Sequence, residues 1–438
     1  MAHELLGSKK IMLENLTKFQ DKVLQCMKCG FCMYFCPIYR EIRTESIVAR
    51  GRNVLAMELL EGAAFDWKHL EERYSKCLTC NRCAQFCPAK VEVATITVAA
   101  RGDIVANKGL PFIKKMVFAH VLKKRRLFGT ALKIASRLQR LLPRTEGTIR
   151  HLPLFLSALG KGRQIPEIAP RFLRDELPEV VSPPPGVKKR MRVAFFAGCA
   201  TDFIFPEVGR KTIAFLTRQG VEVLFPKGQG CCGMAVFGSG AFALAREIAD
   251  RNVAIFSEPE GVDYIVTSCA TCGSALKEGY GKFLADTKDR EERYKKFGAR
   301  VKDVNEFIVD ILKPPPEAFK TSLPQGTTVT YHDPCHLVRY QRISRQPREI
   351  IQSIAGLELV EMKEADRCCG MGGSFNVRYY DLSQQIAAHK MGAIADTGAA
   401  IVATACPGCM IQLIGNISQR QMPKRVMHVM ELLRVDKA

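Results

Sequence analysis

Apolar residues recur along this chain in two rhythms. Over residues 1 to about 105 the spacing is helical. Ser46 to Gly62 (SIVARGRNVLAMELLEG) repeats its apolar positions at helical intervals with few breakers. From Arg192 onward, short apolar runs alternate with helical stretches. Arg192–Ala197, Val221–Phe225 and Tyr264–Thr267 predict strands, with Glu207–Gln219 and Ala241–Phe256 as helices between them. The same succession then returns: Thr328–Tyr331, Leu357–Met362 and Ala399–Thr404 predict strands. Each half ends in a predicted helix, Val304–Leu312 and Val426–Leu433. Alternating β and α units predict a mostly parallel sheet in each half. The expected fold class is α plus α/β, a helical N-terminal module followed by two duplicated α/β domains.

Two proline runs punctuate the chain. Ser182-Pro183-Pro184-Pro185-Gly186 reads as a stiff linker, and Pro314-Pro315-Pro316 separates the repeats. The expected domains are 1–105, a connector at 106–190, 191–313 and 326–438. In the connector, Leu132, Ile134, Leu138, Leu141 and Leu142 predict one apolar face of a helix, with Lys133, Arg137 and Arg140 elsewhere. The longest uncharged run, Thr397–Gln419, is interrupted by Pro407, Gln412, Asn416, glycines and cysteines. It reads as a buried strand, a cysteine loop and a helix, so no transmembrane segment is expected.

At 438 residues the chain has room for two or three domains, and 47% hydrophobic residues suffice for packed cores. The formal charge is +21, and it is uneven. Lys108 to Arg150 holds 12 Lys/Arg against the single acid Glu146, which is +11 of that excess. A solvated face, a nucleic-acid contact and an amphipathic helix on an anionic membrane all fit such charge. No nucleic-acid recognition fold accompanies it, so no nucleic-acid partner is expected. Peripheral membrane contact through 112–142 is the reading carried forward. The first twenty residues lack the apolar core of a signal peptide, so a cytoplasmic location is expected, peripheral on the inner face of the membrane where the connector docks.

Cysteines carry the chemistry, and there are 18. Without a secretion signal, Cys-x-x-Cys groups favour metal or redox sites over structural disulfides. The first set runs Cys26-x2-Cys29-x2-Cys32-x3-Cys36-Pro37, then Cys77-x2-Cys80-x2-Cys83-x3-Cys87-Pro88. This is two-cluster ferredoxin spacing: three thiolates on one turn of chain reach one cubane, and the fourth closes the other. Cys26, Cys29, Cys32 and Cys87 are therefore expected on one [4Fe–4S] cluster. Cys77, Cys80, Cys83 and Cys36 are expected on the other. A pair of structural zinc sites is the alternative, but it leaves Cys-x3-Cys-Pro without a role.

The remaining ten cysteines form one pattern twice. Cys199, Cys231-Cys232-Gly233 and Cys269-x-x-Cys272 make the first set; Cys335, Cys368-Cys369-Gly370 and Cys406-x-x-Cys409 make the second. The offset is 136 at the first position (335 minus 199) and 137 at the others. Neighbouring cysteines diverge too much to share one tetrahedral ion easily, and five thiolates exceed the needs of one cubane. One further iron–sulfur cluster is expected in each domain, and the ligand count leaves room for a non-cubane form or an open redox site. Zinc in one of them, or a reversible disulfide, is the alternative.

This arrangement resembles the CCG-domain family of iron–sulfur proteins. With two ferredoxin motifs upstream, the chain is similar to the CCG-bearing component of heterodisulfide reductase and to the iron–sulfur subunit of glycolate or lactate oxidase. His332-Asp333-Pro334-Cys335-His336 is also typical of the second repeat in that family. The resemblance implies electron transfer among a flavin-binding oxidase subunit, iron–sulfur clusters and a membrane quinone or cytochrome. In the disulfide-reducing branch it implies catalysis at the CCG clusters. On that reading the catalytic candidates are Cys231, Cys232, Cys368, Cys369, His332 and His336.

Weaker signals add little. Gly228-x-Gly230-x-x-Gly233 formally fits a dinucleotide loop, yet its variable positions are the cysteine pair. No flavin or Walker fingerprint is present, so no flavin is expected on this chain. His332 and His336 could bond to cluster sulfurs or relay protons, or simply pack at a strand end. Asp333 before Pro334 reads as a turn former.

Overall fold

The computed structural model describes residues 12–122, 125–139, 144–145, 148–149 and 165–435. The N-terminal module is helical, as its spacing predicts. Ala49–Leu60, Trp67–Ser75 and Val93–Lys108 are its longest helices. Leu16, Val23, Ala56, Leu59, Leu70, Tyr74, Ile96 and Ala99 form its core. Asp103 is buried there, and its carboxylate accepts the backbone N–H groups of Asn15 and Leu16 at 2.9 and 2.8 Å. The prolines of the cysteine motif do two jobs. The helix Phe31–Phe35 stops at Cys36, and Pro37 then opens the helix Pro37–Ile42 at its first position, where a missing N–H costs nothing.

Three two-residue strands, β1 (Arg144–Thr145), β2 (Thr148–Ile149) and β3 (Ile165–Pro166), pair in the connector. Each repeat then builds an open sheet. The first joins β4 (Val180–Val181), β5 (Met191–Phe195), β6 (Val221–Leu224), β7 (Tyr264–Thr267) and β8 (Val301–Asp303) in the order β4-β6-β5-β7-β8. Only β4 is antiparallel. The second joins β9 (Thr327–His332), β10 (Leu357–Leu359), β11 (Ile401–Thr404) and β12 (Arg425–His428) in the order β10-β9-β11-β12, all parallel. The registers superimpose: Val193 faces Tyr264 in one sheet, and Val329 faces Ile401 in the other.

Two elements differ from the sequence reading. Val426–Leu433 is expected as one helix, but its first residues belong to β12, and only Val429–Leu432 is helical. The open edge of β11 recruits Arg425–His428 residue by residue, which outweighs a short helical pattern. β8 forms in the same way on β7, just ahead of the expected helix that starts at Val304.

The connector helix is also turned differently from its apolar pattern. Arg125–Leu138 is helical, but Ser136 and Gln139 are its buried residues. Ser136 donates to the carbonyl of Ala169 at 3.1 Å, and Gln139 exchanges hydrogen bonds with the backbone of Ile168. Ile134 and Leu138 stay 54% and 58% exposed. Leu141, Leu142, Lys123, Lys124 and Arg140 lie outside the described residues. Among the described residues, no helix is long and apolar enough to cross a membrane.

The N-terminal module grips both repeats. Arg101 donates to the carbonyls of Tyr74 (2.8 Å), Cys77 (2.7 Å) and, across the boundary, Gly238 of the first repeat (2.7 Å). Gly102 beside it must be glycine, because a Cβ there would lie 2.6 Å from the ring of Phe242. Towards the second repeat, Cys36, Ile38, Val48, Leu78 and Cys80 share one apolar cluster with Cys368, Phe375 and Ile386. Arg82 pairs with Glu364 at 2.9 Å, and Tyr340 donates to the Thr79 carbonyl at 2.7 Å.

Arg101→Met keeps the bulk of the stem but strands three carbonyls. We expect a loss of about 3 kcal/mol, read as an earlier midpoint in anaerobic guanidinium unfolding. An unchanged midpoint would mean that Arg101 does not hold the modules together.

Candidate functional site

All 18 cysteines are free thiols, and only Cys29 is exposed. They fall into four groups that follow one another through the molecule. In the N-terminal module, Cys32 sits among Cys26, Cys29, Cys36 and Cys87, whose charges add to burial in pushing its thiol up to about 12. Cys26, Cys29, Cys32, Cys83 and Cys87 line a common small cavity. Cys83 is raised too, by burial first and then by Cys80, Cys77, Cys36 and Cys32. The eight cysteines of the module thus lie close together, with Cys32 and Cys36 each feeling neighbours of both expected quartets.

The second quartet abuts the second repeat. Burial and the nearby Cys368 push the Cys80 thiol up to about 12. Cys335, in turn, is hydrogen-bonded to Cys368 and feels Cys80. Two guanidiniums serve Cys77: burial raises its thiol, and Arg52 and Arg101 outweigh that and lower it. Arg339 lies against Cys80, Cys335 and Cys368, paired with Asp366 at 2.7 Å.

Each repeat gathers its five cysteines at the carboxyl ends of its strands, where open α/β sheets build ligand sites. In the first, Cys199 follows β5, Cys231 and Cys232 follow β6, and Cys269 and Cys272 follow β7. Cys231 is hydrogen-bonded to Cys199 and Cys232, and Cys232 to Cys272. Gly198 has φ +70°, and a Cβ on it would lie 2.7 Å from Cys272 Sγ, so the cage leaves room for no other residue there. In the second, Cys368 is held well below the usual thiol range by hydrogen bonds with Cys335 and Cys369. Cys369 and Cys409 approach to 3.7 Å between sulfurs. The two cages touch: Cys406 is hydrogen-bonded to Cys269 as well as to Cys409, and Thr271 Oγ1 lies 3.4 Å from Cys406 Sγ.

These donors fit a metal or iron–sulfur group. A disulfide needs sulfurs about 2.05 Å apart. Two thiolates on one tetrahedral ion at about 2.3 Å stand about 3.8 Å apart, close to the Cys369–Cys409 spacing. Backbone N–H groups also aim at the sulfurs: Thr79 to Cys77, Val91 to Cys87, Gly233 to Cys231 and Gly370 to Cys368, each at 3.4 Å. Such bonds hold a thiolate in place and tune the group that it carries.

The two histidines part company. His336 Nδ1 lies 2.8 Å from Ser274 Oγ, and its ring stacks on Tyr340 at 4.7 Å, so it packs between the repeats. His332 is fully buried against the second cage, and neither ring nitrogen has a partner in good hydrogen-bond geometry, the Ala365 carbonyl being the nearest backbone acceptor to act on the ring. Asp333 is buried and clamped by both Nη atoms of Arg348 at 3.0 and 2.7 Å. The Gly228 to Gly233 loop lies against the helix Phe242–Ser257, with Gly230 N–H donating to Asn252. Sequence reasoning missed Lys390. It is fully buried near Cys368 and Cys369 and donates to the carbonyls of Glu364 (2.8 Å) and Ala365 (3.1 Å). Its place on the apolar face with Ile386, Ala387 and Ile394 was the available signal. A cleft of about 700 Å³ opens between the N-terminal module and the second repeat, with Cys36, Cys368, Arg40, Arg43, Lys363 and Arg367 in its wall.

A ferredoxin-like module in contact with two duplicated cysteine-rich α/β domains defines an iron–sulfur redox protein. Residues 22–91 match the 4Fe-4S dicluster domain, and residues 193–277 and 329–414 each match the cysteine-rich domain known as CCG. The chain is 31% identical over 433 residues to a probable glycolate oxidase iron-sulfur subunit of Bacillus subtilis (strain 168), covering 94% of each chain. It is 28% identical to one of the subunits of fumarate reductase (CoM/CoB) from Methanothermobacter marburgensis, over 98% of this chain and 75% of that one. Lactate utilization protein A of Geobacillus kaustophilus is 34% identical over 56% of this chain and 98% of its own. The chain belongs to the family of CCG-domain iron–sulfur subunits of oxidoreductases.

The thiol environments set a pH dependence. In the metal-free fold, Cys32 and Cys80 stay protonated up to about 12, whereas in the unfolded chain they ionise near 9.0. The folded state is therefore favoured in full below pH 9 and loses that advantage as pH rises from 9 towards 12. We expect the Tm of metal-free protein to fall between about pH 8 and about pH 10. Cluster-loaded protein, whose thiolates are already deprotonated, should fall less over the same range. Parallel curves would refute this account.

Proposed function

We propose that this chain is the electron-transfer subunit of a membrane-associated flavoprotein oxidoreductase acting on a 2-hydroxy acid such as glycolate or lactate. The single observation that carries this is the unbroken succession of thiol cages. It runs from the exposed Cys29, through the apolar cluster that Cys80 shares with Cys368, to the Cys406–Cys269 contact. In this reading Cys26, Cys29, Cys32 and Cys87 hold one [4Fe–4S] cluster, and Cys36, Cys77, Cys80 and Cys83 hold the other. Cys199, Cys231, Cys232, Cys269 and Cys272 hold a third cluster, and Cys335, Cys368, Cys369, Cys406 and Cys409 a fourth. Zinc is the alternative occupant of one repeat. When bound, such groups supply one-electron chemistry and so divide a two-electron oxidation into single steps.

The chain's own residues set the terms. Arg52, Arg101, Arg339 and Lys390 put buried positive charge beside the thiolates. The apolar cluster around Cys36, Cys80 and Cys368 keeps water out of the junction between module and repeat. Around Cys29, the exposed side chains of Met27 (65%), Phe31 (55%) and Tyr34 (83%) suit a docking protein. The flavin belongs to that partner. The electrons leave to a quinone or cytochrome at the membrane. Support for the membrane comes from Phe112 and Ile113, each 77% exposed, with Met116, Ile134 and Leu138 also outward on basic helices.

A second reading, reduction of a disulfide at the second cage, is favoured by the cleft beside Cys368. Its cationic wall of Arg40, Arg43, Lys363 and Arg367 suits an anionic disulfide.

Purification with the products of neighbouring genes tests the first reading. A bound flavin and glycolate- or lactate-dependent dye reduction are expected, and Cys29→Ser should remove about four irons per chain and abolish electron transfer. A complex without flavin, silent to 2-hydroxy acids yet active on small disulfides with a reduced dye, would replace it with the second reading. For the membrane contact, flotation with phosphatidylserine vesicles should fall roughly tenfold in Phe112→Glu/Ile113→Glu. Unaltered flotation would exclude this surface.

A further inference from the structure

The duplication invites a residue-by-residue comparison of the two cages, and they are not alike. Matched strand registers place His332 of β9 where the first repeat has Phe196, just after β5. Both side chains are fully buried. Lys390 corresponds in the same way to Val253 on the helix Phe242–Ser257. The first cage therefore meets a benzyl ring and an isopropyl group where the second meets an imidazole and an ammonium.

His332 is fully buried; one ring nitrogen faces the Ala365 carbonyl without good hydrogen-bond geometry, and the other has no protein partner. A buried polar atom left bare is costly. Phe196 shows that the fold accepts an apolar ring in this position. A ligating nitrogen of His332 and the sulfurs of Cys369 and Cys409 all lie within 4.8 Å of one another. The imidazole has no solvent access here. Lys390 cannot satisfy it, because its ammonium is committed to the carbonyls of Glu364 and Ala365.

We propose that His332 is a nitrogen ligand of the group held in the second cage, which makes that cage a mixed nitrogen–sulfur site while the first is bound by sulfur alone. This rests on the metal-holding reading of the cages given above. It explains why one ring nitrogen can be buried without a protein partner. It also makes the two centres electronically different, since a neutral imidazole bonded in place of an anionic thiolate lowers the negative charge around the metal and raises its potential.

The test uses the full chain, purified without oxygen after growth on ¹⁵N-histidine, and pulsed EPR across a redox titration. Iron, acid-labile sulfide and zinc are assayed on the same sample, so an empty protein, which would refute the metal reading itself, is recognised separately. A directly bonded ¹⁵N coupling is expected in one paramagnetic centre. His332→Phe, which copies the first repeat, should lose it, keep iron and sulfide, and shift the midpoint potential of that centre downward. Phe196→His should introduce a second nitrogen coupling. If His332→Phe does not fold, the labelled wild-type protein decides alone. If the second cage carries zinc, EXAFS at the zinc edge replaces EPR, with one nitrogen among sulfurs expected. Full metal loading with no nitrogen coupling, or an all-sulfur zinc shell, overturns the assignment.

Discussion

Sulfur crowding is the constraint on which this structure depends. Seventeen of the 18 thiols are at least partly buried, and within each cage they touch. Several thiolates in contact, away from water, repel one another, and each carries its own desolvation cost. Only a bound cation or cluster, or protonation, relieves that. The fold is arranged to bring the sulfurs together: the loops after β5, β6 and β7, and after β9, β10 and β11, converge on one edge of each sheet. Buried Arg52, Arg101, Arg339 and Lys390 and the N–H groups aimed at sulfur complete the electrostatic setting.

One scaffold used twice has been fitted to two neighbours. In the second repeat, Arg339 and Tyr340 reach the N-terminal module, at the Cys80 and Thr79 carbonyls. The equivalent of Arg339 in the first repeat is Phe203, buried under Phe172 of the connector with ring centroids 4.7 Å apart. The connector thus covers on one repeat the surface that the N-terminal module occupies on the other. This leaves the second cage between the module and the first cage, and gives the array of centres its order. Identical sheets would not have produced it; a handful of substitutions on the helices after β5 and β9 did.

Much of the architecture was legible because cysteine spacing is a local record of geometry. Three ligands on one turn, a fourth aimed elsewhere, and an offset of 136 or 137 between matching cysteines of the repeats need no tertiary knowledge. The strand-helix alternation was equally local. What escaped were features decided by distant partners. β12 exists because β11 offers an edge. The apolar cluster that holds Cys80 and Cys368 joins residues 288 apart in sequence (368 minus 80), and nothing in either motif announces it. Lys390 reads as a surface lysine until the helix Tyr380–Asp396 is seen packed on the second cage.

The connector is the clearest case in which periodicity found the element and tertiary structure chose its face. A helix normally turns its apolar stripe to the core, since each large side chain buried is worth about 1.5–3 kcal/mol. Here Ser136 and Gln139 face inward, satisfied by the backbone of Ile168 and Ala169, and Ile134 and Leu138 face out beside Lys133 and Arg137. Phe112 and Ile113 are exposed in the same segment. Local pattern and packing disagree only if water is the sole outer phase. The proposed membrane contact would remove the disagreement, because the apolar residues would then have somewhere to go and the surplus of cations would have counter-charges to meet. It is on this disagreement that the proposed membrane contact rests.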